Sequence, residues 1–270
     1  MIGVELVKLL KNPRTWVTIV LLNSLPALIA VLLTLTDLGP RPGTGPAFLS
    51  AVLSDGSLFP LAAIAIVLPL FLPAAVAVMG GEAVAGEAQL GMLRYVLIRP
   101  VGRTRFLVAK LVAVMAFVLL AVVVVAGVGY LLGVLLLGDG PAGGTASVSG
   151  TTLSSTDVAW RTGLSLVYAS LSMRGVAAIA VFLSTLTDSP LGAALGALGL
   201  LIASTLLLTL DAADALQPYL PTRYWLSFVD LFRDPIVWRE VIRGVLLQST
   251  YVGVFLGMAW ANFTTKDITS

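Results

Sequence analysis

The 270-residue chain contains no cysteine and no histidine. Without cysteine there is no disulfide, no thiolate nucleophile and no thiolate metal site. Without histidine the commonest general base is missing as well. Charge is also scarce: 11% of the residues are charged against 58% hydrophobic, and the net charge is only +2. A soluble domain of this size exposes far more charge. The basic residues are too dispersed for a nucleic-acid surface. No carboxylate pair reads as buried, so the sequence assigns no catalytic residue and no metal site.

What is present in their place is apolar sequence, with a mean hydropathy of +1.01. A run of about 20 apolar residues crosses a hydrocarbon core roughly 30 Å thick. Six such runs occur, at about 16–36, 58–79, 106–137, 162–186, 191–210 and 244–261. The fold class expected is an all-α integral membrane protein with six transmembrane helices in a single domain, 1–270. The first run is full length and preceded by Glu5, Lys8, Lys11 and Arg14, so it reads as a retained span and not a signal peptide.

Local signals refine this outline. Ile2 to Lys11 is too short to span and is amphipathic, with Ile2, Leu6, Leu9 and Leu10 on one face and Glu5, Lys8 and Asn12 on the other. It reads as a helix lying at the membrane surface. Asn12-Pro13 and Ser189-Pro190 each pair an N-cap with a proline suited to the first helical turn. Asp234-Pro235 reads the same way, which would start the last helix at Pro235. Pro60, Pro69 and Pro73 should kink span 2, and Gly80-Gly81 should end it. The long span 3 should tilt or project from the bilayer.

Orientation follows the lysines and arginines near span ends. Lys8, Lys11, Arg14, Arg94, Arg99, Arg103, Arg105, Lys110 and Lys266 share one side. Arg41, Arg161, Arg223, Arg233, Arg239 and Arg243 share the other, mostly in one long segment. The balance predicts a multi-pass protein of the cytoplasmic membrane with both termini cytoplasmic.

The 80–110 segment is the main candidate for function. It carries Glu82, Glu87, Gly91, Leu93 and Arg94, then a break at Pro100-Val-Gly, flanked by Arg99, Arg103 and Arg105, with Lys110 opening span 3. Its arginines suit a soluble partner's carboxylates or anionic membrane lipid. A basic loop that only sets topology has the same charge. The order Glu87-x-x-x-Gly91-x-Leu93, then Arg99-Pro100-Val101-x-Arg103, then Lys110, resembles the loop between spans 2 and 3 of type-2 ABC transporter permeases. Met92 stands where that family usually has Thr, and Gly102 where it has Ser. The amphipathic first helix with Asn12-Pro13-Arg14-Thr15-Trp16, the turn Phe182 to Pro190, Leu220 to Trp225 and the tail Phe263 to Ile268 resemble the family's corresponding segments.

The resemblance implies a cytoplasmic coupling helix between spans 2 and 3, docked on separate ABC ATPase subunits, and short external helices before span 6. It also implies a second permease subunit, identical or related, and export as the direction of transport. The chain has no Gly-x-x-x-x-Gly-Lys-Ser/Thr loop, so ATP and Mg are expected on the partner ATPase and no cofactor on this chain.

Arg174 falls midway along span 4, where a charge must face the bundle, water or a partner. It is a candidate for the substrate path or for an interhelical contact. Tyr224, Trp225 and Phe228 belong to an aromatic, charged stretch, 211–243, that reads as short helices at the outer headgroup level. They would either cover an exit or anchor the protein. Gly129/Gly133, Gly192/Gly196 and Gly253/Gly257 match the small-residue packing motif, with packing inside one subunit the expected use. Asn262 opens a formal glycosylation triplet on the side read as cytoplasmic and is discounted. Rival readings are an ion-coupled carrier or channel, disfavoured because the carboxylates lie at span ends or in loops, and a structural membrane partner. The apolar spans suit an amphipathic, drug-like or lipid-like substrate.

Overall fold

A computed structural model describes residues 1–36, 48–49, 51–53, 55–91, 102–138, 145–146, 148–149 and 151–265. Nine α-helices are described: α1 (Ile2–Lys11), α2 (Pro13–Leu35), α3 (Phe59–Val67), α4 (Phe71–Gln89), α5 (Arg103–Leu132), α6 (Ser155–Ser172), α7 (Arg174–Leu186), α8 (Pro190–Leu207) and α9 (Trp238–Thr265). The only extended pairing among the described residues is a two-residue ladder of Thr145 with Leu153 and Ala146 with Thr152. Six helices are long and apolar enough to cross a membrane: Pro13–Leu35, Phe71–Gln89, Thr104–Leu137, Ser155–Leu186, Pro190–Leu207 and Trp238–Phe263. The chain is therefore an all-helical, multi-pass membrane protein.

Where a cap signal is local, the helix starts where the sequence predicts. Asn12 accepts from the Arg14 N–H, with Pro13 in the first turn of α2. Ser189 accepts from the Gly192 N–H, with Pro190 opening α8. Asp234-Pro235 behaves differently, and α9 begins at Trp238. Asp234 is tied instead to the segment after the ladder's first strand. Its N–H donates to Ser149 Oγ and its carboxylate accepts from Thr151 Oγ1.

Span 2 is broken at a proline, as expected, but does not end at its glycines. The chain breaks at Leu68-Pro69-Leu70, leaving α3 as a short apolar helix, and α4 runs past Gly80-Gly81 to Gln89. Proline cannot donate to the preceding turn, which accounts for the break at Pro69. The glycines are points of close approach, not a terminus. A Cβ on Gly80 would strike the Ala180 side chain of α7, and one on Gly81 would press on the Ala194 N–H of α8. Ser184 of α7 reaches into α4 at this level. Its Oγ accepts from the N–H groups of Val84 and Ala85 and donates to the Gly81 carbonyl at 2.6 Å. Span 4 is likewise divided, at Met173, into α6 and α7.

The core lies where α3, α4 and α7 are enclosed by the other helices. Every residue of α3 is buried, as is most of α7. The outward faces of α2, α8 and α9 carry exposed Val20, Leu21, Leu195, Ile202, Leu246 and Val254, the pattern of helices facing lipid or another apolar surface. Gly129 and Gly133 pack within the subunit, against the 56–63 segment. Gly253 and Gly257 face open space among the described residues.

Candidate functional site

α1, the end of α4 and the start of α5 converge at one end of the bundle. Lys110, two turns into α5, is 3% exposed. A lone ammonium at that burial is strongly unfavourable, so it requires carboxylates. It has two. Its Nζ donates to Glu5 Oε2 of α1 at 2.9 Å and to Glu87 Oε1 of α4. Lys8, one helical turn beyond Glu5, reaches the same Glu87 oxygen at 3.1 Å. Lys110 also sits 5.3 Å from the centre of the Phe106 ring, within cation–π range. The two lysines and two glutamates balance in charge. Arg14, at the start of α2, pairs with Glu82 at 2.7 Å nearby.

This arrangement corrects two sequence-based expectations. Glu5 does not lie on an outer polar face with Lys8. It points inward, while Val4, Val7 and Leu10 are exposed along with Lys8 and Lys11. Two carboxylates do meet here, the buried Glu87 and the partly buried Glu5, sharing one ammonium. The signal for Lys110 was present in the sequence. It stands one turn into an apolar span, as Arg174 does, and the same argument about intramembrane charge applies to it. Its partners were not legible, because Glu5 is 105 residues away.

The same end gathers the turn before α8 and the close of α9. Phe263 stacks on Phe106 at 5.5 Å, Trp260 Nε1 donates to Thr104 Oγ1, and Asn262 donates to the Thr185 carbonyl. A cavity of about 300 Å³ opens beside the ion cluster. Glu82, Glu87, Lys8, Arg14 and the Glu5–Lys110 pair belong to its polar wall, and Leu9 and Met79 to its apolar wall.

Of the residues singled out in the 80–110 segment, Glu82 and Glu87 are brought into this cluster. Gly91 closes α4 in the left-handed region at φ 66°, a conformation that favours glycine. Arg105 is exposed at the start of α5, and Arg103 is its first residue. Leu93, Arg94, Arg99 and Pro100 lie outside the described residues, and so does any helix between α4 and α5.

Arg174 stands at the break in span 4. Its Nε donates to the Leu171 carbonyl at 3.2 Å and its Nη2 to Ser249 Oγ of α9 at 3.2 Å. Next to it, the buried Gln248 accepts from the Gly175 N–H and donates to the Pro221 carbonyl. Gln248 thereby ties α7, α9 and the segment before α9 together. That segment forms short 3₁₀ turns at Asp211–Ala213, Gln217–Tyr219 and Trp225–Phe232. Tyr224, Trp225 and Phe228 are buried, packed within the chain. Polar bonds hold it down. Arg161 donates to the carbonyls of Leu231 and Arg233, and Tyr168 donates to the Tyr224 carbonyl at 2.6 Å.

No curated protein matches the chain. A family model matches residues 27–269, which include Glu82, Glu87, Lys110, Arg174 and the 211–233 segment but not α1. The chain belongs to that family, described as "Protein of unknown function (DUF2705)".

Proposed function

We propose that this chain is the permease subunit of an ATP-driven type-2 ABC transporter. It works as a pair of membrane subunits, identical or related, on two separate cytoplasmic ATPases. Both termini and the Glu87 end of α4 face the cytoplasm, where the ATPases bind. ATP and Mg belong to those ATPases. The substrate class that suits the apolar spans is small and amphipathic, drug-like or lipid-like, and the direction is export.

The observation that carries this reading is the convergence of α1, the Glu82–Glu87 end of α4 and the first turns of α5 on the buried Lys110. A motor acting on a permease must move the ends of several spans together. Helices joined through a desolvated ion cluster separate only at high cost, so a force applied to the α4–α5 connection reaches α1 and span 3 as one body. The order of residues through that connection, which resembles the type-2 ABC loop, supports the same reading.

Copurification tests it. The tagged chain, expressed in turn with the candidate ABC ATPases of the same organism, should bring one of them down in stoichiometric amount from detergent or nanodiscs. Failure to retain any of them with and without nucleotide would remove the proposal.

A further inference from the structure

Arg174 is held in place but not neutralised. Lys110, the other cation well inside a span, has two carboxylates. Arg174 has neutral oxygens: the Leu171 carbonyl on Nε at 3.2 Å, with Ser249 Oγ at 3.2 Å and the Val245 carbonyl at 3.5 Å on Nη2. Ser249 donates its own proton to the Val245 carbonyl at 2.7 Å, so toward Arg174 it is an acceptor. Among the described residues Arg174 enters no ion pair, and its Nη1 has no hydrogen-bond partner. The residue is half-buried, and Nη1 is not among its enclosed atoms. Bonds to Nε and Nη2 therefore fix the guanidinium plane and leave the Nη1 edge open.

Depth excludes the usual counterions. Along the span Ser155–Leu186, Arg174 lies about 18 Å from one end and about 28 Å from the other at 1.5 Å per residue. A lipid phosphate is out of reach of an arginine side chain there, although it would not be near a span end. An identical second copy brings no anion to that level either, because all 14 Asp and Glu residues lie in links or at the ends of spans. A cation at that depth is costly without a partner. The anion therefore arrives on a molecule that enters the middle of the bilayer. The surface beside the guanidinium is apolar. Val167 and Leu171 precede Arg174 at helical spacing, Leu246 flanks Ser249 on α9, and Val167 and Leu246 are exposed.

We infer that the substrate is an amphipathic anion, its oxyanion received by Arg174 Nη1 at mid-membrane and its apolar body lying along α6 and α9. That this anion is the substrate rests on the transporter reading, whereas its binding at Arg174 does not, and the test contains no ATPase.

The full-length chain in phosphatidylcholine nanodiscs, at mildly alkaline pH, is photolabelled with a long-chain fatty acid carrying a diazirine and, in parallel, with its methyl ester. Labelled peptides are quantified by mass spectrometry. The acid should label the 162–181 and 241–255 stretches about tenfold over the ester, the ratio for one hydrogen bond to a charged group. The outward face of α2 should show no such ratio. Arg174→Gln should bring acid and ester to the same level. Because Arg174 also bonds the Leu171 carbonyl, Ser249→Asp is the second variant. It sets a carboxylate beside Nη2 and neutralises the arginine while leaving the Leu171 bond in place, so the acid preference should vanish at undiminished thermal stability. Loss of the preference in folded Ser249→Asp supports the site. Equal labelling by acid and ester in the parent, or a preference that survives Ser249→Asp, would overturn it. So would a membrane polypeptide that copurifies with the parent and is lost from Arg174→Gln, by giving the arginine a protein partner. A chain that binds its ATPase but shows no acid preference would refute this inference and leave the transporter reading intact.

Discussion

Lys110 and Glu87 form a buried ion pair across α5 and α4, and Glu5 of α1 completes it from the far end of the sequence. Removing one member leaves charge stranded. Lys110→Met should cost about 3–5 kcal/mol of stability, the range for breaking a buried pair. The triple variant Glu5→Gln, Glu87→Gln, Lys110→Met removes the charges together and should recover most of that loss. Thermal unfolding in detergent, followed by tryptophan fluorescence, reads both. A single variant as stable as the parent would show that the cluster is not formed.

The pair between Arg14 and Glu82 is largely solvent-exposed on the arginine side. Arg14→Ala should therefore change stability by less than about 1 kcal/mol. Its unfolding curve should overlay the parent's at moderate salt, in contrast to Lys110→Met.

Ser184 occupies the backbone ladder of α4 through Gly81, Val84 and Ala85. Ser184→Ala takes away an acceptor and a donor at a buried site and should cost about 1–3 kcal/mol. Hydrogen exchange should quicken at Val84 and Ala85 before it does elsewhere in α4. Unchanged exchange there would contradict the role of the serine.

Gln248 bridges the Gly175 N–H and the Pro221 carbonyl from a buried position. Gln248→Leu leaves both backbone groups without that partner and should destabilise by about 1–3 kcal/mol. The 211–233 segment should then become more open to limited proteolysis while the ion cluster at the opposite end is unaffected.

Gly133 and Gly56 meet backbone to backbone, and a Cβ on either would overlap the other's carbonyl. Gly133→Val should cost about 1–3 kcal/mol through overpacking. Gly257→Val, on an open face of α9, should leave monomer stability unchanged in the same assay.

What the sequence makes legible here is local or periodic. Six spans follow from apolar length, and Asn12-Pro13 and Ser189-Pro190 mark helix starts because cap and helix lie within four residues of one another. What it hides is set by distant partners. Gly80-Gly81 looks like a helix end until Ala180 and Ala194 are seen against it. Asp234 looks like a cap until Ser149 and Thr151 take its bonds. Glu5 looks like a surface charge until Lys110 is placed beside it. In each case a tertiary contact overrode a sound local signal.

The most direct measurement is ATP hydrolysis by a candidate ABC ATPase of the same organism in lipid nanodiscs, with this chain, without it, and with Arg105→Glu. Arg105 is exposed at the start of α5, so its reversal should leave folding intact. The account predicts that the chain binds the ATPase and alters its turnover, and that Arg105→Glu weakens both at unchanged thermal stability. An ATPase indifferent to the chain, or transport abolished by a protonophore while ATP remains high, would contradict it.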